Sequence, residues 1–541
     1  MPTIPQEISQ STQTLTDNAT IVEQFAQGAA NTFIPVRGGT LRPLLYWQST
    51  FQNKVTELAQ PYVEQLSQAN QVADGKVQSA ADSAADANQS AQEAAASAAS
   101  VDFPTRLAEL NAQQTRLARS LAAIGDHGQS MHFDFLRQAF ALGDLEGLNR
   151  TLSFAELFPD FTRESPKWVC DASGTLVEVE VDQPAFDFDP VTGEPLGILR
   201  ETASENRTRF SEDLSNSAWV KGNGATIEAN AIAAPNGQMT ADKIVEPITN
   251  SIPFVDQPSS FGVVAGRSYA RSAYAKADNS GRHLQFHFTS QITGVQQTAV
   301  FNLLTGECLA ESGIDKADMI DLGNGYYRCY AVITALNTLS SAVAQTRICK
   351  NFQLGNNQYT GDGTSGVYVW GQQFEEGTEP TSYIPTNSTA MTRAADNLGR
   401  LLGDEYRQSR GTVWLDFDIT PPGLDSGSLN VLRLFDGVAA AIDLRYINSV
   451  SQFDVLVRNN GVTTIDSQQR AYVEGVNSAA FSWDESGVYF SANGSAAIYD
   501  SGTVPTTLTN LLILEDVSGH LRSLLFIPTT LPEKLQELTS A

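Results

Sequence analysis

Tyr446, Arg458, Asn459, Tyr472 and Tyr499, near the C-terminus, set aromatic rings among hydrogen-bonding side chains, and Trp219 and Tyr359 do the same further upstream. Rings beside polar groups suit one task above others. The ring stacks on the apolar face of a pyranose while neighbouring groups meet its hydroxyls. These seven residues are the candidate ligand-binding set. Covalent chemistry finds no comparable set. Paired carboxylates on one strand, as in Glu-x-Asp-x-x-Glu, would serve glycoside hydrolysis. The nearest approach, Trp414-Leu-Asp416-Phe-Asp418, has no glutamate and reads as solvent-facing alternation. No Gly-x-Ser-x-Gly elbow, phosphate-binding loop or His-Glu-x-x-His motif is present. The expectation is a binding protein without catalytic residues.

Metal chemistry is equally thin. His283 and His287 share one face of an alternating run, with no carboxylate or cysteine at a ligating offset, and are expected to have a packing or surface role. Cys170, Cys308, Cys329 and Cys349 lack metal-site spacing and read as free thiols, with a Cys308–Cys329 strand-pair contact as the alternative. No cofactor is expected.

A net charge of −27 argues against binding DNA or an anionic membrane through the bulk field. No apolar run is long enough to span a bilayer, and no basic-then-apolar leader opens the chain, so synthesis in a cytoplasm without general secretory export is expected. A chain of 541 residues exceeds what one core usually organises.

The elements that must position any site fall into five stretches. Residues 1–43 hold a short amphipathic turn (Ile21, Val22, Phe25) and a Gly38-Gly39 hairpin signal. They are too small to bury a core and read as an attachment segment. Residues 44–125 read as a coiled-coil stalk. Phe51, Val55, Leu58, Tyr62, Leu66, Ala69, Ala73, Val77 and Ala80 recur at threes and fours, partly in an eleven-residue period, and Ala84, Ala87, Ala91, Ala94 and Ala98 continue as heptads. After Asp102-Phe-Pro104 a second seam runs through Leu107, Leu110, Gln114, Leu117, Leu121 and Ile124, with polar Gln114 positioned to fix register and strand number. One helix cannot bury so narrow a seam, so an oligomer of two or three strands is expected. Such a stalk would extend on the order of 100 Å.

Residues 126–205 read as a neck. Phe133, Phe135, Leu136, Phe140, Leu142, Leu145 and Leu148 suggest a short helix or collar, followed by strands turning at Asp171–Gly174 and within Phe186–Gly193. Residues 206–395 carry alternating runs at 268–275, 283–288, 299–303, 326–334 and 366–373, which argue an antiparallel sandwich. Residues 396–541 carry more, at 413–419, 431–435, 442–447, 453–458, 488–492, 511–514 and 521–527, then a terminal helix with Pro532 at its start. The fold class expected is mainly β with an N-terminal α-helical coiled coil, two antiparallel β-sandwiches (jelly-roll and lectin-like) on a stalk.

Phe161-Thr-Arg, Asp171-Ala-Ser-Gly-Thr-Leu, Phe186-Asp-Phe-Asp-Pro-Val-Thr-Gly-Glu-Pro-Leu-Gly197 and Phe210-Ser-Glu-Asp-Leu-Ser-Asn-Ser-Ala-Trp219 occur in order. So do Gly366-Val-Tyr-Val-Trp-Gly-Gln-Gln-Phe-Glu-Glu-Gly377 and Pro380-Thr-Ser-Tyr-Ile-Pro-Thr386. This series, over roughly residues 155–400, resembles the neck and receptor-binding regions of tailed-bacteriophage tail fibres. Residues 1–43 resemble tail-attachment segments more weakly. The middle region is similar to jelly-roll carbohydrate-binding modules, and the last to concanavalin-like lectin sandwiches. The resemblance implies a homotrimeric fibre of the virion tail, docked through its N-terminal segment to a phage tail or baseplate protein. It implies a tip that binds bacterial surface polysaccharide, such as lipopolysaccharide or capsule, with no nucleic-acid partner and no membrane insertion. Structural calcium is frequent in such modules, and the loop Thr360-Gly-Asp-Gly-Thr364 offers oxygen ligands while reading equally as a plain turn. The rival readings are a glycan-degrading tailspike and a purely structural virion spacer.

Overall fold

The computed structural model describes Gln60 and residues 131–540, except 144–148, 258–260, 356–357, 404–405 and 422–426. The attachment segment and, apart from Gln60, the coiled-coil stalk lie outside the described residues. Apart from Gln60, everything below belongs to the compact unit Leu110–Ala541.

The fold is mainly β, in two antiparallel sandwiches. In the middle one, a six-stranded sheet runs 226–232, 241–245, 366–376, 268–277, 326–334, 316–321. Its partner runs 307–310, 297–302, 283–288, 344–349, 254–256, 220–222. Leu284, Phe286 and Phe288 point between the sheets, as the alternation predicts, against Tyr269, Ala273, Val367 and Phe374. The opposite face of that strand departs from expectation. His283, Gln285 and His287 are buried too, beneath a segment that sets Phe352 against the His283 ring at 5.6 Å. A half-buried strand is therefore a fully buried one. Burial first, then the charge of Arg347, draws the His287 imidazole down to about 4, so it stays neutral.

The last sandwich is larger than its own segment. One sheet runs 399–401, 510–513, 428–435, 441–447, 452–459, 462–466. The other follows the path 149–152, 139–143, 131–134, 519–527, 410–418, 476–484, 487–492, 498–501. The neck thus adds strands to the last sandwich: Met131–Asp134 pairs with Gly519–Ile527, and Phe133 meets Leu524. The expected helix or collar is a strand meander. Phe133 and Phe135 enter one core with Phe417, Phe481 and Phe526.

Val413, Leu415 and Phe417 face that core. Trp414 faces the other way, under the terminal helix, where Leu535 and Leu538 pack on Trp414, Leu525 and Ile527. That face is not the solvent-exposed one expected from alternation, and Asp416 is buried on it. The helix begins with Pro532 in its first turn, as read from sequence. All four cysteines are free thiols.

The middle sandwich is inserted into this larger body. Ser204–Asn206, on the way in, pairs with Met391–Arg393, on the way out. The neck hairpins, 167–179 and 186–200, sit at that junction, and the second is zipped to the last sandwich through Ile198 and Leu521. Gly197 makes this close approach feasible. Its φ is +111°, and an added Cβ would lie 2.4 Å from the Leu521 carbonyl oxygen. Gly197→Ala is expected to cost more than about 1 kcal/mol. Thermal unfolding of the purified variant checks this, and an unchanged Tm would contradict the backbone placement.

Candidate functional site

A cleft of about 730 Å³ opens where the neck hairpins, the middle sandwich and the last sandwich meet. Junctions of this kind are favoured places for ligands.

Its aromatic wall starts at Trp168. Strand Lys167–Cys170 alternates, with Lys167 and Val169 turned inward and Trp168 and Cys170 turned partly outward. The strand is held in place by Leu176–Val179, across a turn in which Asp171 Oδ1 accepts from the Ser173 and Thr175 amides. Trp168 stands edge-on to Trp370 at 6.4 Å and Tyr383 at 6.1 Å. Behind it, Trp370 and Tyr383 pack at 4.6 Å, with Tyr274 beside both. The Trp168 indole N–H is buried and finds no acceptor among the described residues. An unmade donor beside an aromatic face is costly unless a ligand or water completes it.

The polar wall carries both signs of charge. Arg328 Nη2 donates to the Thr381 carbonyl at 2.7 Å and the guanidinium lies 5.3 Å over the Tyr274 ring. Glu376 is bound by Arg207 at 3.2 Å and by Arg267, and Glu379 by Lys316. At the far end, His520 bridges two elements. Its Nδ1 is 3.0 Å from Asp418 Oδ1 and its Nε2 is 3.1 Å from Asp187 Oδ2. Burial opposes charge on this imidazole, but the two carboxylates raise its pKa to about 10. Asp418 is the converse: burial pushes it up, and His520 and Arg522 more than offset that, holding it below the usual carboxylate range. Burial, with Asp187 nearby, pushes the Cys170 thiol up to about 12. It is a thiol and no nucleophile at neutral pH.

None of the seven sequence candidates lines this cleft. Tyr446 is 1% exposed, with its ring against Phe453 and Tyr472. Trp219 is 2% exposed and donates its N–H to the Phe210 carbonyl at 3.0 Å. Tyr359 is buried, with its hydroxyl on Glu246 at 2.7 Å and Arg282 over its ring. These three rings have no face free for a sugar. Tyr472 is half-buried against the same core. Arg458 is paired with Asp443, and Asn459 ends its strand opposite Val462. Tyr499 alone keeps an exposed ring, tilted against Tyr489 at 4.6 Å. Sequence reasoning missed Trp168, although its place in an alternating Lys-Trp-Val-Cys strand beside a turn was a usable signal. It also passed over Asp418 as solvent-facing.

The loop Thr360–Thr364 does not fit a calcium ion. Asp362 Oδ1 accepts from the Thr364 and Ser365 amides and Oδ2 from the Ser365 hydroxyl, which makes the loop a closed turn. No group of three or more His, Cys, Asp and Glu suited to a metal occurs among the described residues.

No protein-family model matches the chain, and no curated protein matches it. Solved structures share parts of its β-architecture at low overall similarity. The CBM40 domain of a Ruminococcus gnavus IT-sialidase, bound to α2,6 sialyllactose, is 15% identical with a TM-score of 0.21, over 25% of this chain and 85% of that one. The galectin LEC-6 of Caenorhabditis elegans is 8% identical with a TM-score of 0.19, over 24% and 89%. The tandem CBM22 domains of Paenibacillus barcinonensis Xyn10C are 10% identical with a TM-score of 0.22, over 63% and 96%. At such scores these likenesses carry no argument about function, which rests on the cleft.

Proposed function

We propose that the chain is a glycan-binding adhesin, and that the junction cleft is where it holds the sugar. The carrying observation is Trp168, a partly exposed ring on an aromatic wall that lines, together with carboxylates and Arg328, a space sized for a short oligosaccharide. An aromatic plane with convergent donors and acceptors is what a pyranose requires. Asp418 and Glu201, both held below the usual carboxylate range, are poor proton donors, which favours binding over hydrolysis.

The finer reading extends the resemblance seen in the sequence. The protein is a homotrimeric tail fibre of a tailed bacteriophage, docked by residues 1–43 to the tail or baseplate and displayed on the stalk of residues 44–125. It attaches the virion to bacterial lipopolysaccharide or capsule. Repeated weak sites on one fibre then give firm attachment by avidity.

The test is binding of the full chain to immobilised bacterial polysaccharides, with the glycan sized afterwards. Saturable binding with intact glycan supports the adhesin. Trp168→Ala is expected to weaken binding about tenfold. Unchanged affinity in a folded variant would remove the cleft as the site, and shortened glycan would mean an enzyme.

A further inference from the structure

Beside the cleft floor lies a cluster that ligand binding leaves unexplained. Lys167, Glu201 and Asp396 meet there with side chains 0%, 4% and 2% exposed. Lys167 Nζ donates to Asp396 Oδ2 and, at 2.9 Å, to the Leu199 carbonyl, and lies 3.3 Å from Glu201 Oε2. Asp396 Oδ1 accepts from Arg163 Nη1 at 3.1 Å, and Oδ2 from the Glu201 amide at 2.8 Å. Glu201 is fixed in turn by Arg393 at 2.7 Å and by the Ser382 amide and hydroxyl at 2.8 and 2.7 Å.

We propose that this cluster forms an intramolecular amide bond between Lys167 Nζ and Asp396 Cγ, with Glu201 as the proton carrier and Arg163 as the oxyanion stabiliser. In hydrogen-bond contact, the ammonium passes one proton to Asp396 Oδ2, giving a free amine and a neutral carboxylic acid. The amine lone pair then attacks Cγ and forms the N–C bond. The negative charge gathers on Oδ1, where Arg163 Nη1 already donates. Glu201 takes the second proton from nitrogen and delivers it to the Oδ2 hydroxyl. The Cγ–Oδ2 bond breaks and one water leaves. One ammonium and one carboxylate become one amide and one water, with no oxidant, reductant or cofactor.

The surroundings bear on Lys167 and on Glu201. Burial is the largest influence on Lys167 and lowers its pKa, which helps expose the amine. On Glu201 burial acts upward, but Arg393 and Lys167 bring it to about 2, so it begins ionised and free to take a proton. The reacting groups are held in contact by strands and neighbours, so the reaction is effectively unimolecular. Glu201 also lines the cleft, which gives the water an exit. A bare ion pair would stabilise the junction by charge alone. This arrangement adds a second carboxylate, Glu201, and a donor on the non-reacting oxygen, placed where charge would develop.

The two residues are 229 positions apart and bracket the whole middle sandwich. An amide there would carry tension from the neck directly into the last sandwich, bypassing the inserted domain.

The experiment is intact mass spectrometry of the denatured full chain, followed by tryptic mapping. The expected result is a chain lighter than its sequence by one water, with the Lys167 and Asp396 peptides recovered joined and no cleavage after Lys167. Glu201→Gln is expected to restore the full sequence mass with the two peptides separate. Asp396→Asn is expected to lose ammonia in place of water and give the same joined product. A full sequence mass in the unaltered chain, or a lost water mapped to another residue, would overturn the proposal.

Discussion

Replacing Arg163 by alanine is expected to cost about 3–5 kcal/mol of stability, the range for breaking a buried, hydrogen-bonded charge cluster on one side. Arg163 is 1% exposed and is the pin of the junction. Its Nε donates to the Ser165 carbonyl at 2.8 Å, Nη1 to the Gln183 carbonyl at 2.8 Å, and Nη2 to the Val179 and Glu180 carbonyls at 3.2 and 2.7 Å. Nη1 also meets Asp396 at 3.1 Å. Removing the guanidinium strands four backbone carbonyls and a side-chain oxygen of Asp396 that this one group gathers. Arg163→Lys should recover little, because one ammonium cannot serve acceptors spread around a planar fork. Urea unfolding of both variants checks this through the transition midpoint. A loss under about 1 kcal/mol for the alanine variant would show that the cluster is solvated and the junction loose.

The same junction explains how far the sequence could be read. Strands of the last sandwich were legible because residues such as Val413, Leu415 and Phe417 alternate against polar neighbours, and observed bounds fall within a few residues of the expected ones. Phe133 and Phe135 carried the same period-two signal. The leucines downstream masked it and suggested a helix, while the strand's partner, Gly519–Ile527, lies nearly the whole described chain away. Pairing at that range leaves no local trace. The cleft was illegible for a related reason. Trp168, Arg328, Glu376 and His520 come from four separated segments, and only folding brings them together. Tyr446 and Trp219 misled because a tyrosine or tryptophan among polar residues looks the same whether its ring faces a ligand or fills a core and uses its polar tip on a neighbour.

His520 should make stability pH-dependent on the alkaline side. Its imidazolium joins Asp187 of the neck to Asp418 of the last sandwich, so it links two of the elements that shape the cleft. Its pKa in the folded chain is raised from 6.5 to about 10. A raised pKa means that the folded state holds the proton more tightly than the unfolded state. The stabilisation is therefore fully present below about pH 6.5, and it drains away as pH rises towards 10. With a side chain 16% exposed at an open cleft, the contribution is on the order of 2–4 kcal/mol rather than the full shift converted. His520→Ala should lose that amount near pH 6, because Asp187 and Asp418 are left facing each other without a cation between them. The loss should shrink to a small packing cost near pH 10, where the unaltered chain has released its own proton. The comparison requires urea unfolding of both proteins at several pH values across this window. A difference that stayed constant from pH 6 to 10 would mean that His520 is neutral throughout and acts by shape alone. A difference that narrows with pH would identify a charged clasp holding the neck against the last sandwich.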